Sequence, residues 1–193
     1  MHDKGGAAAG IDPIAPEERA QPVVLADWDP GWSQTFAAIR ERVAAALGEL
    51  AVGIEHVGST AVEGLIAKPI VDVDVVVRSE GDVAEAIRRL TTIGYAHLGD
   101  LGIVGRDAFR APAGAPAHHL YVCPTSSAEL RAHLIFRDAL RRKAELVAAY
   151  AALKRELAES YRDDRDSYAE GKSRFISGVL QDERDVPRRA QRR

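Results

Sequence analysis

The eight residues Ile70-Val71-Asp72-Val73-Asp74-Val75-Val76-Val77 restrict the fold of this 193-residue chain more than any other stretch. Their density of β-branched side chains predicts a strand. Side chains alternate along a strand, so Val71, Val73, Val75 and Val77 make one apolar face. Ile70 and Val76 flank Asp72 and Asp74 on the other. A strand apolar on both faces is buried on both, inside a sheet covered by helices. Two carboxylates on one face of such a strand repel each other and lose hydration. Buried charges are paired or bind metals. Hard oxygen ligands set this way suit Mg²⁺, which keeps waters and fills its shell from substrate phosphates.

The flanking sequence predicts the rest of an α/β domain. Asp29-Pro30 starts a helix whose buried face is Phe36, Ile39, Val43 and Leu47, with Gly48 as its stop. Residues 52–57 form a strand. Thr60 and Glu63 have capping-box spacing for a short helix around 61–67, ended by Lys68-Pro69. Ser79 to Ile93 is a helix with Val83, Ile87 and Leu90 on one face. Residues 95–123 are glycine-rich and irregular, with strand-like pieces near 108–111 and at His119-Leu120-Tyr121-Val122. From Ser126 the chain is helical. Leu146, Tyr150, Leu153 and Leu157 make one stripe, and Tyr168, Phe175, Ile176 and Val179 another, with a break at Asp163–Asp166. The organisation is a flexible arm over 1–21, a single domain over 22–180 and a disordered basic tail over 181–193.

Gly58-Ser59, directly before a helix start, supplies a second chemical feature. Glycine lets the backbone approach a phosphate closely, and a helix start offers N–H groups and a favourable dipole. Ser59 adds a hydroxyl donor, and Lys68 is placed to reach phosphate oxygens or to cap a helix end. A turn after one strand and two acids on the next are positioned to meet. His56 before the turn reads as a structural hydrogen-bonding residue as readily as a site residue. Arg137, Arg141, Arg142 and Lys143 read as a solvated basic face of a late helix.

Composition narrows the classes. A net charge of −3 gives no nucleic-acid footprint. No apolar run is long enough to span a membrane. A single cysteine, Cys123, rules out an intrachain disulfide and fits a reducing cytoplasm. There is no Gly-x-x-x-x-Gly-Lys-Ser/Thr loop and no Cys/His spacing for zinc.

Gly58-Ser59, twelve residues, then Asp72-x-Asp74 on an apolar strand resembles the signature of the nucleotidyltransferase superfamily. More specifically, the chain resembles the GrpB family. The matching residues include His56–Val62, Gly64-Leu65, Ala67–Asp72, Gly94-Tyr95, His119-Leu120, Leu134–Arg141, Tyr150, Leu153-Lys154, Tyr168, Lys172 and Phe175-Ile176, and together they span about 23–180. The resemblance implies an α/β (α+β) fold: a nucleotidyltransferase-like mixed sheet flanked by helices, with a helical C-terminal half from about 126. It implies a cytoplasmic transferase that moves a nucleotidyl group from an NTP, ATP above others, to an unidentified small-molecule or protein acceptor. Asp72 and Asp74 would hold Mg²⁺, with Mn²⁺ as the alternative. Gly58, Ser59, Thr60, Lys68 and Lys172 would bind the nucleotide, and His119 would assist catalysis. Two departures stand out. Tyr121 replaces the second histidine of the family's His-Leu-His, so this strand brings no third acid and no second imidazole. Glu63 stands where the family has proline. The first departure leaves room for a second function, a non-catalytic nucleotide- or phosphate-ligand-binding or accessory module on the same fold.

Overall fold

The computed structural model describes residues 22–190. The arm expected over 1–21 and the last three residues lie outside the described residues. Five strands form one mixed sheet: β1 (Ala51–Val57), β2 (Val71–Val77), β3 (Ala96–Gly99), β4 (Asp107–Arg110) and β5 (His118–Pro124), in the order β1-β2-β5-β4-β3. β2 runs parallel to β5 and antiparallel to β1, and β4 runs antiparallel to both β5 and β3. The helices are α1 (Gly31–Leu47), α2 (Val83–Thr92), α3 (Ala128–Arg142), α4 (Ala144–Ser160) and α5 (Arg165–Ala190).

β2 lies between two strands, as its apolar faces require. Val71, Val73, Val75 and Val77 are at most 1% exposed and pack with Ile39, Val43 and Leu47 of α1 and Ala86 and Leu90 of α2. Four such side chains contribute about 6–12 kcal/mol of transfer free energy. That fixes the register, because a slip of one residue would turn both aspartates into this apolar layer. The opposite face carries Asp72 and Asp74, with Val76, Tyr121 and Cys123 meeting Leu130 of α3. α3, α4 and α5 then build a second core around Leu140, Tyr150, Ile176 and Leu180. The acid-bearing face is therefore roofed by the C-terminal helices.

Several local expectations are corrected. The helix around 61–67 is a single 3₁₀ turn at Ser59–Ala61, because Gly64 turns left-handed at φ +77° and Ala67 pairs with Ala26 in an isolated bridge. The capping box forms instead at Ser79 and Asp82. α1 begins at Gly31, whose N–H donates to Asp29 Oδ1 at 2.8 Å. β3 occupies part of the stretch read as irregular. The helical backbone continues to Ala190, past the boundary at 181 expected for a disordered tail. Glu183 explains part of this: it ties α5 to Arg142 at 2.6 Å and to Lys143 at 2.7 Å.

Candidate active site

The turn after β1 is built against β2. Gly58 has φ +68° and ψ −170°, a region open almost only to glycine. A Cβ at this position would lie 2.1 Å from Asp72 Oδ2. The turn and the first acid therefore meet, and only a hydrogen fits between them. Arginines of α3 hold the turn from the other side. Arg141 donates twice to the Ala61 carbonyl, at 3.0 and 2.8 Å. Arg137 donates to the His56 carbonyl at 3.1 Å and to Glu55 at 2.8 Å. Arg137, with its side chain 11% exposed, and Arg141, with its side chain still 44% exposed, thus brace the turn from a run that was expected to be only a solvated face.

His56 completes the brace. Its ring stacks on Phe36 with centroids 4.7 Å apart, and Nε2 meets Thr60 Oγ1 at 3.0 Å. Burial first, then the charges of Arg141 and Arg137, lower its pKa to about 4, so the imidazole is neutral and structural. Thr60, expected at the nucleotide, is buried and spends its hydroxyl on His56.

Two adjoining cavities open beside the turn. One, of about 30 Å³, is walled by Ser59, Lys68, Asp72, His119, Lys154 and Lys172, among others. The other, of about 80 Å³, shares Ser59, Asp72 and Lys172 and continues past His133 to Phe136 and Tyr150. Lys172 is buried, with Nζ 4.8 Å from the Tyr168 ring centroid, and Lys154 is buried with Nζ donating to the Ile66 carbonyl. Three ammonium groups beside a serine hydroxyl and a single carboxylate suit a phosphate-sized anion with a cation. A site enclosing a whole ligand of nucleotide size has about 300–1,000 Å³. The cavities fit phosphates, and the rest of a nucleotide would lie outside them.

The two aspartates share a face but not an environment. The parallel register sets Asp72 beside His119 and Asp74 beside Tyr121. Asp72 is half-buried at the cavity wall, and His119 Nδ1–H donates to its Oδ1 at 2.9 Å. Asp74 sits one pleat deeper under α3, with no exposed surface. His133 Nδ1–H donates to Asp74 Oδ2 at 2.8 Å, while His133 Nε2 lies 3.2 Å from Glu129 Oε1. Both ring nitrogens lie beside carboxyl groups, a setting that favours the protonated ring. Burial opposes that charge. The charge and hydrogen bond of Asp74, with those of Glu129, outweigh it and push His133 up to about 10. Arg106, also fully buried, lies over the Tyr121 ring at 4.4 Å and reaches Glu129 at 3.8 Å. Two acids and two cations thus form a charge-balanced layer behind the cavity.

This arrangement decides how a metal ion fits. Asp72 offers an oxygen at the cavity wall, which with waters and substrate phosphates suits one Mg²⁺. Asp74, expected as a second ligand, has one oxygen on His133 and the other enclosed without a hydrogen-bond partner. Among the described residues, no three His, Cys, Asp or Glu side chains are grouped to hold a metal.

The comparisons with known proteins agree with this geometry at the level of family and fold. The GrpB protein family model matches residues 22–182. This chain belongs to the GrpB family. It is 37% identical over 156 residues to a UPF0157 protein of Pseudomonas aeruginosa, covering 79% of this chain and 64% of that one. It is 32% identical over 145 residues to the UPF0157 protein YqkA of Bacillus subtilis, covering 75% of this chain and 42% of that one. The chain thus spans less than two thirds of the length of either relative. The crystal structure of the conserved protein GrpB from Enterococcus faecalis superposes with a TM-score of 0.75 at 30% identity, covering 83% of this chain and 96% of that one. The Cid1 poly(U) polymerase with MgGTP bound superposes with a TM-score of 0.51 at 12% identity, over 69% of this chain and 44% of that one, a likeness of fold alone. The GrpB fold of this chain is nucleotidyltransferase-like. No helix among the described residues is long and apolar enough to cross a membrane.

Sequence reasoning did not assign His133, Glu129, Arg106 or Lys154 to the site of this GrpB chain. The i, i+4 spacing of Glu129 and His133 places them together on one helix face, but nothing local says that Asp74 is their partner.

Proposed function

We propose that this GrpB chain binds an NTP by its phosphates at the Gly58–Ser59 turn and transfers the nucleotidyl group to a small-molecule or protein acceptor. The supporting observation is the convergence of Ser59, Asp72, His119 and buried Lys172 on one cavity wall. Lys172, Lys68 and Ser59 hold the β- and γ-phosphates. Asp72 would hold Mg²⁺, and the ion would supply neutralisation of charge on the reacting phosphate. An acceptor oxygen attacks the α-phosphorus, the bond to pyrophosphate breaks, and the acceptor proton leaves to His119 Nε2. Asp72 holds the His119 ring by Nδ1, so Nε2 is the nitrogen that accepts.

The test is Asp72→Ala followed by calorimetry with Mg²⁺ and each NTP. Loss of at least tenfold in affinity with an unchanged circular dichroism spectrum supports the reading, and unchanged affinity sinks it. A second reading, a binding or accessory module without turnover, is favoured by the engagement of Asp74 with His133. Pyrophosphate release from an NTP with any acceptor decides for the enzyme.

A further inference from the structure

We infer that the acceptor of the proposed transfer is a small hydroxy acid, held in a separate cavity on the far side of His119 with its carboxylate on Arg110. This rests on the nucleotide reading of the phosphate cavities and names the second substrate of that site. The strand pairings lay one row of side chains across the sheet. Asp72 of β2 is set beside His119 of β5. The β4–β5 register, Ala108 with Tyr121 and Phe109 with Leu120, carries on to set Arg110 beside His119 on its other side. Directly opposed residues share a face of the sheet. Asp72, His119 and Arg110 therefore project from the face that carries the phosphate cavities. Neighbouring strands lie about 4.8 Å apart, so His119 stands midway, one strand from the aspartate and one from the arginine.

A cavity of about 140 Å³ occupies the Arg110 side of this row. It shares Ile70 and His119 with the smaller phosphate cavity and Tyr121 with the larger one. The rings of His119 and Tyr121, centroids 6.3 Å apart, form the partition. The chemistry differs on its two sides. The phosphate cavities present lysines and Asp72. This one is walled by Leu98, Ala108, Ala111 and Pro116, with Arg110 as its cation and no carboxylate among the described residues. His118 also borders it, but its ring is spent on the Pro116 carbonyl and the Tyr95 hydroxyl, both at 2.7 Å. An apolar cavity of about 150 Å³ holds one benzene, so the body of the occupant has about six carbon atoms. Arg110 is exposed, which puts its planar fork at the mouth, where it matches a carboxylate. A hydroxyl at the inner end then meets His119. Its oxygen bonds to the α-phosphorus, the bond to the bridging oxygen breaks with its electron pair leaving on pyrophosphate, and the hydroxyl proton passes to His119. A protein side chain in the same place would bring an amide backbone, not a carboxylate, to Arg110.

The test records ¹H–¹⁵N spectra of the full chain, with and without α,β-methylene-ATP and Mg²⁺. The probes are 4-hydroxyphenylacetate, 6-hydroxyhexanoate, the neutral 4-hydroxyphenylacetamide and an end-blocked tyrosine peptide, each raised to tens of millimolar. The expected result is that at least one acid shifts the amides of Leu98, Ala108 and Arg110, about tenfold more tightly than the neutral amide. It does so whether or not the nucleotide is bound. Arg110→Gln, with an unchanged melting transition, removes that preference. The inference is overturned if neither acid shifts these amides, if the neutral amide binds as tightly, or if the nucleotide displaces the acid. Tighter binding of the peptide overturns it in favour of a protein acceptor. If Arg110→Gln does not fold, the ratio of acid to amide in the native chain decides alone. An acid bound by a chain with no affinity for any NTP refutes the nucleotide reading and leaves the hydroxy-acid cavity. Nucleotide binding with the Arg110 cavity silent does the reverse.

Discussion

Replacing Gly58 by alanine tests how closely the turn and Asp72 depend on each other. The added methyl acts in two ways. Gly58 has φ +68° and ψ −170°, where a residue with a Cβ is strained by about 1–3 kcal/mol. The same methyl would stand 2.1 Å from Asp72 Oδ2, 2.9 Å from its Cγ and 3.0 Å from its Cβ. Relief requires moving either the turn, which Arg141 and Arg137 hold, or Asp72, which His119 holds. Forcing a methyl into a packed site costs about 1–3 kcal/mol more. The sum is centred near 4 kcal/mol, and for a domain of this size it lowers the melting temperature by about 8–16 °C. Urea unfolding followed by circular dichroism, with the m-value checked for constancy, measures the loss. The two components separate in a double-mutant cycle with Asp72→Ala. Removing the carboxylate relieves the clash but not the backbone strain, so the cycle shows a coupling of about 1–3 kcal/mol. A loss below about 0.5 kcal/mol in Gly58→Ala, within the usual range of neutral surface changes, would refute the claim that only a hydrogen fits there.

Two further outcomes follow from the histidines. His133→Ala leaves Asp74 fully buried without its cation and destabilises the fold by about 3–5 kcal/mol; a loss under 1 kcal/mol in urea unfolding contradicts the ion pair. The folded pKa of His133, about 10, lies above its ordinary 6.5. Its contribution is therefore fully present below about pH 6.5 and is lost as pH rises toward 10, a decline that His133→Ala abolishes. His56 has the opposite sign. Its pKa of about 4 in the fold means that stability present above pH 6.5 falls as pH drops toward 4. The His56 Cε1 proton should keep its neutral chemical shift between pH 7.5 and 5, and titration near 6.5 would show that the ring is not buried against Phe36.

The sequence determined β2 and the chemistry of its two faces, because alternation and β-branching are local properties and a doubly apolar strand has few places to go. It also determined that Gly58-Ser59 precedes the acids on a turn, and that the C-terminal half is helical from about 126, since spacings of three and four in α4 and α5 bury one stripe each. The family was legible for the same reason: its motifs are contiguous residues. The basic run on α3 is largely solvated, as its pattern predicts, but periodicity cannot say what a helix face meets, and the contacts of Arg137 and Arg141 with the turn were not legible in it. Tertiary structure alone decided which aspartate faces ligand. Asp72 and Asp74 are equivalent in any local reading, two residues apart on one face. α3 covers the deeper one with His133, 59 residues away in sequence, and leaves the other beside His119, Lys172 and the open turn. Burial and long-range charge pairing are properties of packed neighbours, and those two aspartates became different only when the helices closed over the sheet.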